Sequence, residues 1–358
     1  MSVKDIRTLE ELELYEKDWN NLIEKCPGSL PMQSYAWISA YFRYKLQHDE
    51  KWICLFAYNE SELIAVYPLL INRRIGLPGF YFQTFKTPFD PFHTTRVDGL
   101  ILQGKENILE LLFNHLKISF NAIPLLHING IPDSSASLLY FNKRKKGVLA
   151  SYKKKGGKEY LINLTGTFQE YCKQLNKKFR KKITHRLKKI SEKADLIFIF
   201  KENNRTNKEN FEIFSQLENS GWKGEKKTAI LNRQGDRELF LSATNKFHEY
   251  GWIRWNFVEA ENIIIAARLF VRINNTTVSF KTAYNEDYSK YGPGKLLFYK
   301  SVQNFYERNE TGEIVLGNLY NRFSDWNASE RKLFNIIIFP KHIFLTPLIK
   351  LYLFIKYK

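Results

Sequence analysis

Cysteine is scarce in this 358-residue chain, and the three present, Cys26, Cys54 and Cys172, are far apart with no C-x-x-C pair. That spacing offers neither a disulfide framework nor a zinc site. The seven histidines are scattered and show no H-E-x-x-H or H-x-x-x-H pattern, so no metal is expected. No clean apolar run reaches the about 18 residues that a membrane-spanning helix needs. The start, Met1-Ser-Val-Lys-Asp-Ile-Arg7, has no apolar h-region, so no secretory signal is expected. Together these absences describe a reduced, metal-free, cytoplasmic protein.

Aromatic residues (15%) and a hydrophobic content of 44% exclude a disordered chain. The length suffices for two domains with a sizeable core. Fifty-five Lys and Arg against 37 Asp and Glu give a net charge of +18. Such a charge attracts nucleic acid, anionic membrane surfaces or phosphorylated small molecules, and alone does not choose among them.

Residues 8–25 read as a helix, with Thr8 and Glu11 as a capping box and Leu9, Leu12, Trp19, Leu22 and Ile23 as its apolar face. A second helix is expected at 34–46. Strand-like runs follow at 52–58 and 63–70, then a loop rich in proline and aromatics at 76–93. Helices near 105–119 and 134–142 flank a strand near 125–129. The stretch 143–158, dense in Lys and Gly, reads as a solvated linker. The boundary placed there gives an N-terminal unit 1–150 and a C-terminal unit 151–332, with an apolar and basic tail 333–358 whose strand lies near 334–339.

The second half opens with one long helix over about 167–193. Phe168, Tyr171, Cys172, Leu175, Phe179, Ile183, Leu187 and Ile190 form its buried stripe, and the opposite face is almost wholly basic. A strand at 196–200, helices near 207–219 and 236–250, and strands at 252–259, 263–272 and 276–284 follow. The short turns between the last three predict an antiparallel meander. Trp52 to Leu69 echoes Trp252 to Phe270 at nearly the same spacing, which suggests two copies of one unit or two similar hairpins.

The segment Tyr288-Ser-Lys-Tyr-Gly-Pro-Gly-Lys-Leu-Leu-Phe298 lies between the last meander strand and a helix-like run to Arg308. Strand, glycine loop and helix present bare N–H groups and a favourable dipole to a phosphate. The same pattern also makes an ordinary strand-to-helix turn with proline at the helix start. The amides of Gly292, Gly294 and Lys295 are the candidate donors.

Three motifs then carry a resemblance: Leu175-Asn-Lys-Lys-Phe-Arg-Lys-Lys-Ile183, Glu218-Asn-Ser-Gly-Trp-Lys-Gly224 followed by Thr228-Ala-Ile230, and Ala283-Tyr-Asn-Glu-Asp-Tyr-Ser-Lys-Tyr-Gly-Pro-Gly-Lys295. In order and spacing the chain resembles GNAT acyltransferases of the CelD-like (BioF2-like) group, relatives of the Fem-type aminoacyltransferases. The motifs span about 160–330. The chain departs from the family at Ile314-Val-Leu316, apolar where an acidic residue is usual, and meets the next motif only loosely at Tyr320-Asn-Arg-Phe-Ser-Asp-Trp326.

The resemblance implies an α+β fold of two tandem GNAT-like units, each a mixed, mostly antiparallel sheet flanked by helices, with a degenerate first cofactor site. It implies acyl-CoA as co-substrate, held by Lys281, Tyr284, Tyr291, Gly292, Pro293, Gly294 and Lys295. Strand 276–284 would splay from its neighbour, with Ser279 and Lys281 on one face and Phe280 and Thr282 on the other. Glu218, Tyr320 and Asp325 are candidates to take the acceptor's proton. Trp222, Lys223, Asp90, His93 and Arg180 are candidate substrate contacts. The expected acceptor is an amino sugar or nucleotide-sugar in cell-surface polysaccharide synthesis. The alternatives are a tRNA-dependent Fem-like transferase and a non-catalytic binding protein. The basic helix 173–193 would suit an acyl carrier protein or tRNA, and the tail a membrane surface.

Overall fold

The computed structural model describes residues 1–77, 80–90, 93–94, 96–143, 147–200, 205–317, 324–342, 346–347 and 349–350. The chain divides into two units: residues 1–42, 46–158 and those from Arg331 on, and residues 43–45 with 159–330.

The first unit runs β1 (Ser2–Ile6), α1 (Leu9–Glu13), α2 (Glu16–Lys25), α3 (Tyr35–Tyr44), β2 (Lys51–Asn59), β3 (Glu62–Leu77), β4 (Phe80–Lys86), β5 (Leu100–Ile101), α4 (Ile108–Phe120), β6 (Ile123–Ile131) and α5 (Ala136–Lys143), and is completed by β13 (Ser329–Pro340). Its strand order is β1-β2-β3-β4-β6-β13, with β5 added on β3. β4 and β6 are parallel; the other described pairs are antiparallel. Leu109, Leu112, Phe113 and Leu116 of α4 pack on Ile53, Leu55, Tyr67 and Phe85 of the sheet. Each fully buried side chain of this kind contributes about 1.5–3 kcal/mol.

The second unit runs from the later part of β7 (Leu149–Leu164), whose residues 149–158 belong to the first unit, through α6 (Phe168–Gln174), α7 (Lys177–Ser191), β8 (Leu196–Ile199), α8 (Asn207–Asn219), α9 (Trp222–Glu225), α10 (Asp236–Glu249), β9 (Ile253–Ala260), β10 (Ile263–Ile273), β11 (Thr276–Tyr284), α11 (Pro293–Glu307) and β12 (Gly312–Gly317). Its order is β8-β9-β10-β11-β12-β7, and β11–β12 is its parallel pair. Strand for strand this repeats the first unit, with α11 in the place of α4. The β2–β3 register skips Ile64 between Leu63 and Ala65, and the β9–β10 register skips Ile265 between Ile264 and Ala266. A bulge at the same step of both hairpins is the structural form of the echo seen in the sequence.

Several expectations are corrected. The helix at 8–25 is two, broken at Leu14-Tyr15. The long helix at 167–193 is also two: Leu175 is extended, and the Asn176 side chain starts α7 by accepting from the Lys178 N–H. The aromatic loop at 76–93 contains strand β4. The largest difference is at 143–158, where the supposed linker is mostly strand β7. Residues 153–158 are exposed, so hydropathy carries no strand signal there. Lys153 pairs with Asp133 at 2.6 Å and lies 3.6 Å from the centre of the Phe334 ring. A Cβ on Gly156 would come within 2.9 Å of the Asn335 backbone, a close approach that only glycine allows. The tail set apart at 333 begins inside β13 and belongs with the first unit. All three cysteines are free. Among the described residues no helix is long and apolar enough to cross a membrane; residues 351–358 of the tail lie outside them.

Candidate active site

Among the described residues, strand β11 is paired on both edges only at its start. Thr276, Thr277 and Val278 pair with Glu313, Ile314 and Val315 of β12. Beyond Val278 the strand continues to Tyr284, and among the described residues only β10 pairs with it there. On the β10 side, Leu269 faces Lys281 and Phe270 faces Ser279, so Phe280 is an extra residue. A bulge of this kind bends and twists its strand, here where β11 parts from β12. It also breaks the alternation expected from sequence. Phe280 and Lys281, predicted on opposite faces, both lie against Phe240 of α10, at 5.7 and 5.3 Å.

The end of β11 leads into α11 through a 3₁₀ turn over Glu286–Tyr291, capped by the Asn285 side chain. Gly292 takes a left-handed conformation (φ 63°, ψ 52°), strained for any residue with a Cβ. Pro293 occupies the first helical position, where its missing N–H costs nothing. Of the three expected donors, two are used within the loop: Gly292 N–H donates to Ser289 at 2.9 Å, and Lys295 N–H to Gly292 at 2.9 Å. The Gly294 N–H makes no hydrogen bond among the described residues. A Cβ on Gly294 would meet Thr282 Cγ2 at 3.4 Å and Tyr284 Cδ1 at 3.5 Å, so the helix start rests directly on the free part of β11.

The same turn collects positive charge. A Cβ on Gly292 would lie 2.5 Å from Nη1 of Arg186, which reaches over from α7. Partial desolvation pushes the Lys295 ammonium below the ordinary lysine pKa. Asp325 opposes that shift, while Arg186 and Lys182 add to it. Three cations and one carboxylate therefore share the N-terminus of α11, where the helix dipole also favours an anion.

Beside this turn, an open pocket of about 200 Å³ is lined by Leu217, Glu218, Gly221, Trp222, Lys223, Thr282, Ala283, Tyr284 and Glu286. Glu218 is buried, and both its oxygens are occupied. One accepts from Lys223 Nζ at 2.6 Å and the other from the Ile230 N–H at 2.8 Å. Lys223 also donates to the Thr282 carbonyl at 3.0 Å. This pair bolts α8 and α9 to β11 and sets Trp222, half-buried, on the pocket wall. Glu286 is a half-buried carboxylate on the same wall with no hydrogen bond or ion pair among the described residues.

The remaining sequence candidates fall elsewhere. Tyr291 is buried in the core beside α11. Asp325, in a 3₁₀ turn over Ser324–Trp326, faces the Lys295 group and not the pocket lining. Arg180 Nε is buried without a hydrogen-bond partner among the described residues, and its guanidinium lies close enough to lower the Tyr299 pKa, which burial raises overall. Asp90 and His93 are buried in the first unit, in a turn where Thr94 N–H donates to the Asp90 carbonyl at 2.8 Å. Tyr320 lies outside the described residues. Glu286 carries no sequence signal as a pocket carboxylate. Arg186 and Lys182 lie on the basic face of α7, and nothing in the sequence signals that this face meets Gly292.

Residues 177–318 match the family model of the acetyltransferase (GNAT) domain. The matched residues lie within the second unit, which is thus similar to a GNAT acetyltransferase domain. Among solved structures, it is similar to FemX (12% identity, TM-score 0.61, covering 98% of this chain and 100% of that one). It is also similar to a conserved protein of unknown function from Bacteroides thetaiotaomicron VPI-5482 (13%, 0.58, 95% and 100%). A third is the C-terminal domain of a putative lysylphosphatidylglycerol synthetase from Agrobacterium fabrum (11%, 0.54, 92% and 92%). At these identities the likeness concerns the fold. No curated protein sequence matches the chain.

Proposed function

We propose that the chain transfers an acyl group from acyl-CoA to the amine of an amino sugar, free or nucleotide-linked, in the building of cell-surface polysaccharide. The observation that carries the donor half of this reading is the opening beside β11. The strand leaves β12 after Val278, and the Gly294 turn rests on its free part. A pyrophosphate at that turn would meet the Gly294 N–H, the helix dipole and the charges of Arg186 and Lys295. The pantetheine arm would then run along the free edge of β11, whose amides can hold the thioester carbonyl oxygen.

In the reaction the acceptor nitrogen attacks the thioester carbonyl carbon directly. Backbone N–H groups of β11 stabilise the oxyanion, each such donor contributing about 2.7–4 kcal/mol. The C–S bond then breaks, and the leaving thiolate takes up a proton. The amine must be neutral to attack, so a base removes its proton. We assign that role to Glu286, whose oxygens are uncommitted. Glu218, with both oxygens occupied, acts instead as a positioning residue that holds Trp222 and Lys223 against Thr282. Trp222 offers an aromatic face to a sugar ring, and Lys223 holds the nearby strand.

The acceptor class rests on that aromatic wall and on the basic charge around the site, which suits a phosphorylated sugar. The localisation that goes with this reading is cytoplasmic, with the tail touching the inner membrane face. The test is acyl transfer from acetyl-CoA to a panel of amino sugars and nucleotide-linked amino sugars. Glu286→Gln should lower kcat at least tenfold with KM for acetyl-CoA little changed, and should remove the acidic limb of the pH–rate profile. An unchanged profile would move the base elsewhere. No transfer from any acyl-CoA would overturn the donor assignment.

A further inference from the structure

Helix α7 carries more positive charge than a CoA pyrophosphate can use. Lys178, Lys182, Arg186 and Lys189 follow one another at steps of four, four and three, which places them on one stripe. Eleven residues of helix separate the ends of this stripe, about 16 Å. Lys178, Lys182 and Lys189 are exposed and Arg186 is half-buried, and none of the four has an ion pair among the described residues. Among the described residues, the ion pair on this helix joins Lys188 to Glu192 at 4.0 Å, on a different stripe. Two lysines, Lys177 and Lys178, stand in the first turn with no acidic residue beside them. Cations at that end oppose the helix dipole, so the arrangement weakens the helix that bears it.

The stripe is continuous with the phosphate turn. Arg186 sits over Gly292, and Lys182 acts on Lys295. One phosphate group engages that meeting point and leaves both ends of the stripe uncompensated. The exposed face has no aromatic side chain, since Phe179 points into the core, so it provides no stacking platform for single-stranded nucleic acid.

We propose that α7 docks an acidic acyl carrier protein, which presents its acyl group as a phosphopantetheine thioester. This rests on the thioester reading given under Proposed function and names the form in which the donor arrives. The arm's single phosphate would occupy the Gly294 turn, the thioester would lie along β11, and carboxylates of the carrier would face Lys178 and Lys189. Free acyl-CoA would serve as a smaller donor that uses the turn alone.

The experiment measures binding and transfer separately. Binding of a purified holo acyl carrier protein is followed by fluorescence anisotropy at low and raised salt. Transfer is measured with acetyl-CoA and with the acetyl-carrier protein. The variant is K178E/K189E; Lys178→Glu sits in the first turn, where its charge favours the helix, so loss through misfolding is not expected. Wild type should bind the holo carrier in a salt-sensitive manner and use the acetyl-carrier at least tenfold better than acetyl-CoA at low salt. The double variant should lose at least tenfold in both carrier binding and carrier kcat/KM, and stay within twofold on acetyl-CoA. Carrier binding that the variant does not weaken, or acetyl-CoA transfer by a protein that does not bind carrier, would overturn the proposal. So would tight, variant-sensitive binding of RNA with none of carrier, which would name the other polyanion. Variant-sensitive carrier binding with no transfer from either donor would instead uphold the docking face and sink the acyltransfer reading on which the donor half rests.

Discussion

The helix that follows the hairpin strands begins in opposite ways in the two units. In the first, α4 starts beside Glu106 and Glu110. Glu106 accepts from the Gly104 N–H at 3.0 Å and pairs with Lys143 at 2.9 Å, while Tyr140 donates to Glu110 at 2.6 Å. Its positive end is answered from within the chain. In the second, α11 starts Gly-Pro-Gly-Lys, with no acidic residue in its first turn and with Arg186 and Lys295 at hand. Its positive end meets Asp325 near Lys295 but has no acidic residue of its own. Strand order, parallel pair and hairpin bulge are shared, so the difference lies in a few side chains at one turn. A repeated fold can thus hold a site in one copy and use the same corner for stability in the other.

The largest test of this contrast is Gly294→Trp. The Cβ has room, with neighbours at 3.4 and 3.5 Å, but an indole would fill the space over β11. Acyl transfer should fall at least a thousandfold, about 4 kcal/mol in barrier, with far-ultraviolet circular dichroism unchanged. Asn107→Trp, at the matching turn of the first unit, should leave kcat/KM within twofold. Equal losses at both positions would erase the distinction between the copies.

Glu218→Ala comes next. Removing one partner of a buried ion pair costs about 3–5 kcal/mol, and here it also frees the Ile230 N–H. Denaturant unfolding should show that loss, and activity should drop without any change in the pH–rate profile. A shifted profile would return Glu218 to the role of base.

How far the sequence led is visible at particular residues. The strand at 276–284 and the helix at 207–219 were legible to the residue, because alternation and a capping box mark them locally. The glycine turn was legible because Gly, Pro, Gly and Lys each have a steric or dipolar reason to be there. Strand β7 was not: Lys153 is placed by Asp133 and Phe334, and Gly156 by Asn335, none of them its neighbours in sequence. The meeting of Arg186 with Gly292 was hidden for the same reason, since periodicity gives a helix its faces but not its neighbours. The break at Leu175-Asn176 hid differently. The apolar stripe continues across it, and a stripe alone does not reveal that one residue has turned extended.

A third test concerns Arg268, buried in β10 of the second unit. Its guanidinium lies 4.1 Å from the centre of the Phe298 ring, and its Nε and Nη1 have no hydrogen-bond partner among the described residues. Burial pushes its pKa down to about 9. Arg268→Met keeps the contact with Phe298 and removes the desolvated charge, which should raise stability by about 1–4 kcal/mol at neutral pH. The folded pKa is below the unfolded one, so the unfolded chain binds more protons above about 9, and wild-type stability should rise with pH there. The gap to the variant should narrow from about pH 9 upward. A variant less stable than wild type would show that Arg268 holds the helix through its ring contact.

The smallest effect is expected at Glu106, and it bears most directly on the contrast between the two helix starts. Glu106 itself is buried and its lysine partner half-exposed, at 7% and 53% of their side-chain surface. Lys143, its hydrogen bond from Gly104 and desolvation compete, and the net result holds its carboxyl below the ordinary glutamate pKa. The depressed folded pKa means that this stabilisation is present above the unfolded pKa of a glutamate and is lost as pH falls through the folded value. Glu106→Gln should therefore cost about 1 kcal/mol or less at pH 7, and nothing once wild type is protonated in acid. The matching change in the second unit runs the other way. Lys295→Glu would supply α11 with the internal anion that α4 already has, so it should stabilise the free protein slightly while weakening acyl-CoA binding at least tenfold. If Lys295→Glu left acyl-CoA affinity intact, the anion that answers α11 would have to bind elsewhere, and the two helix starts would differ in sequence without differing in use.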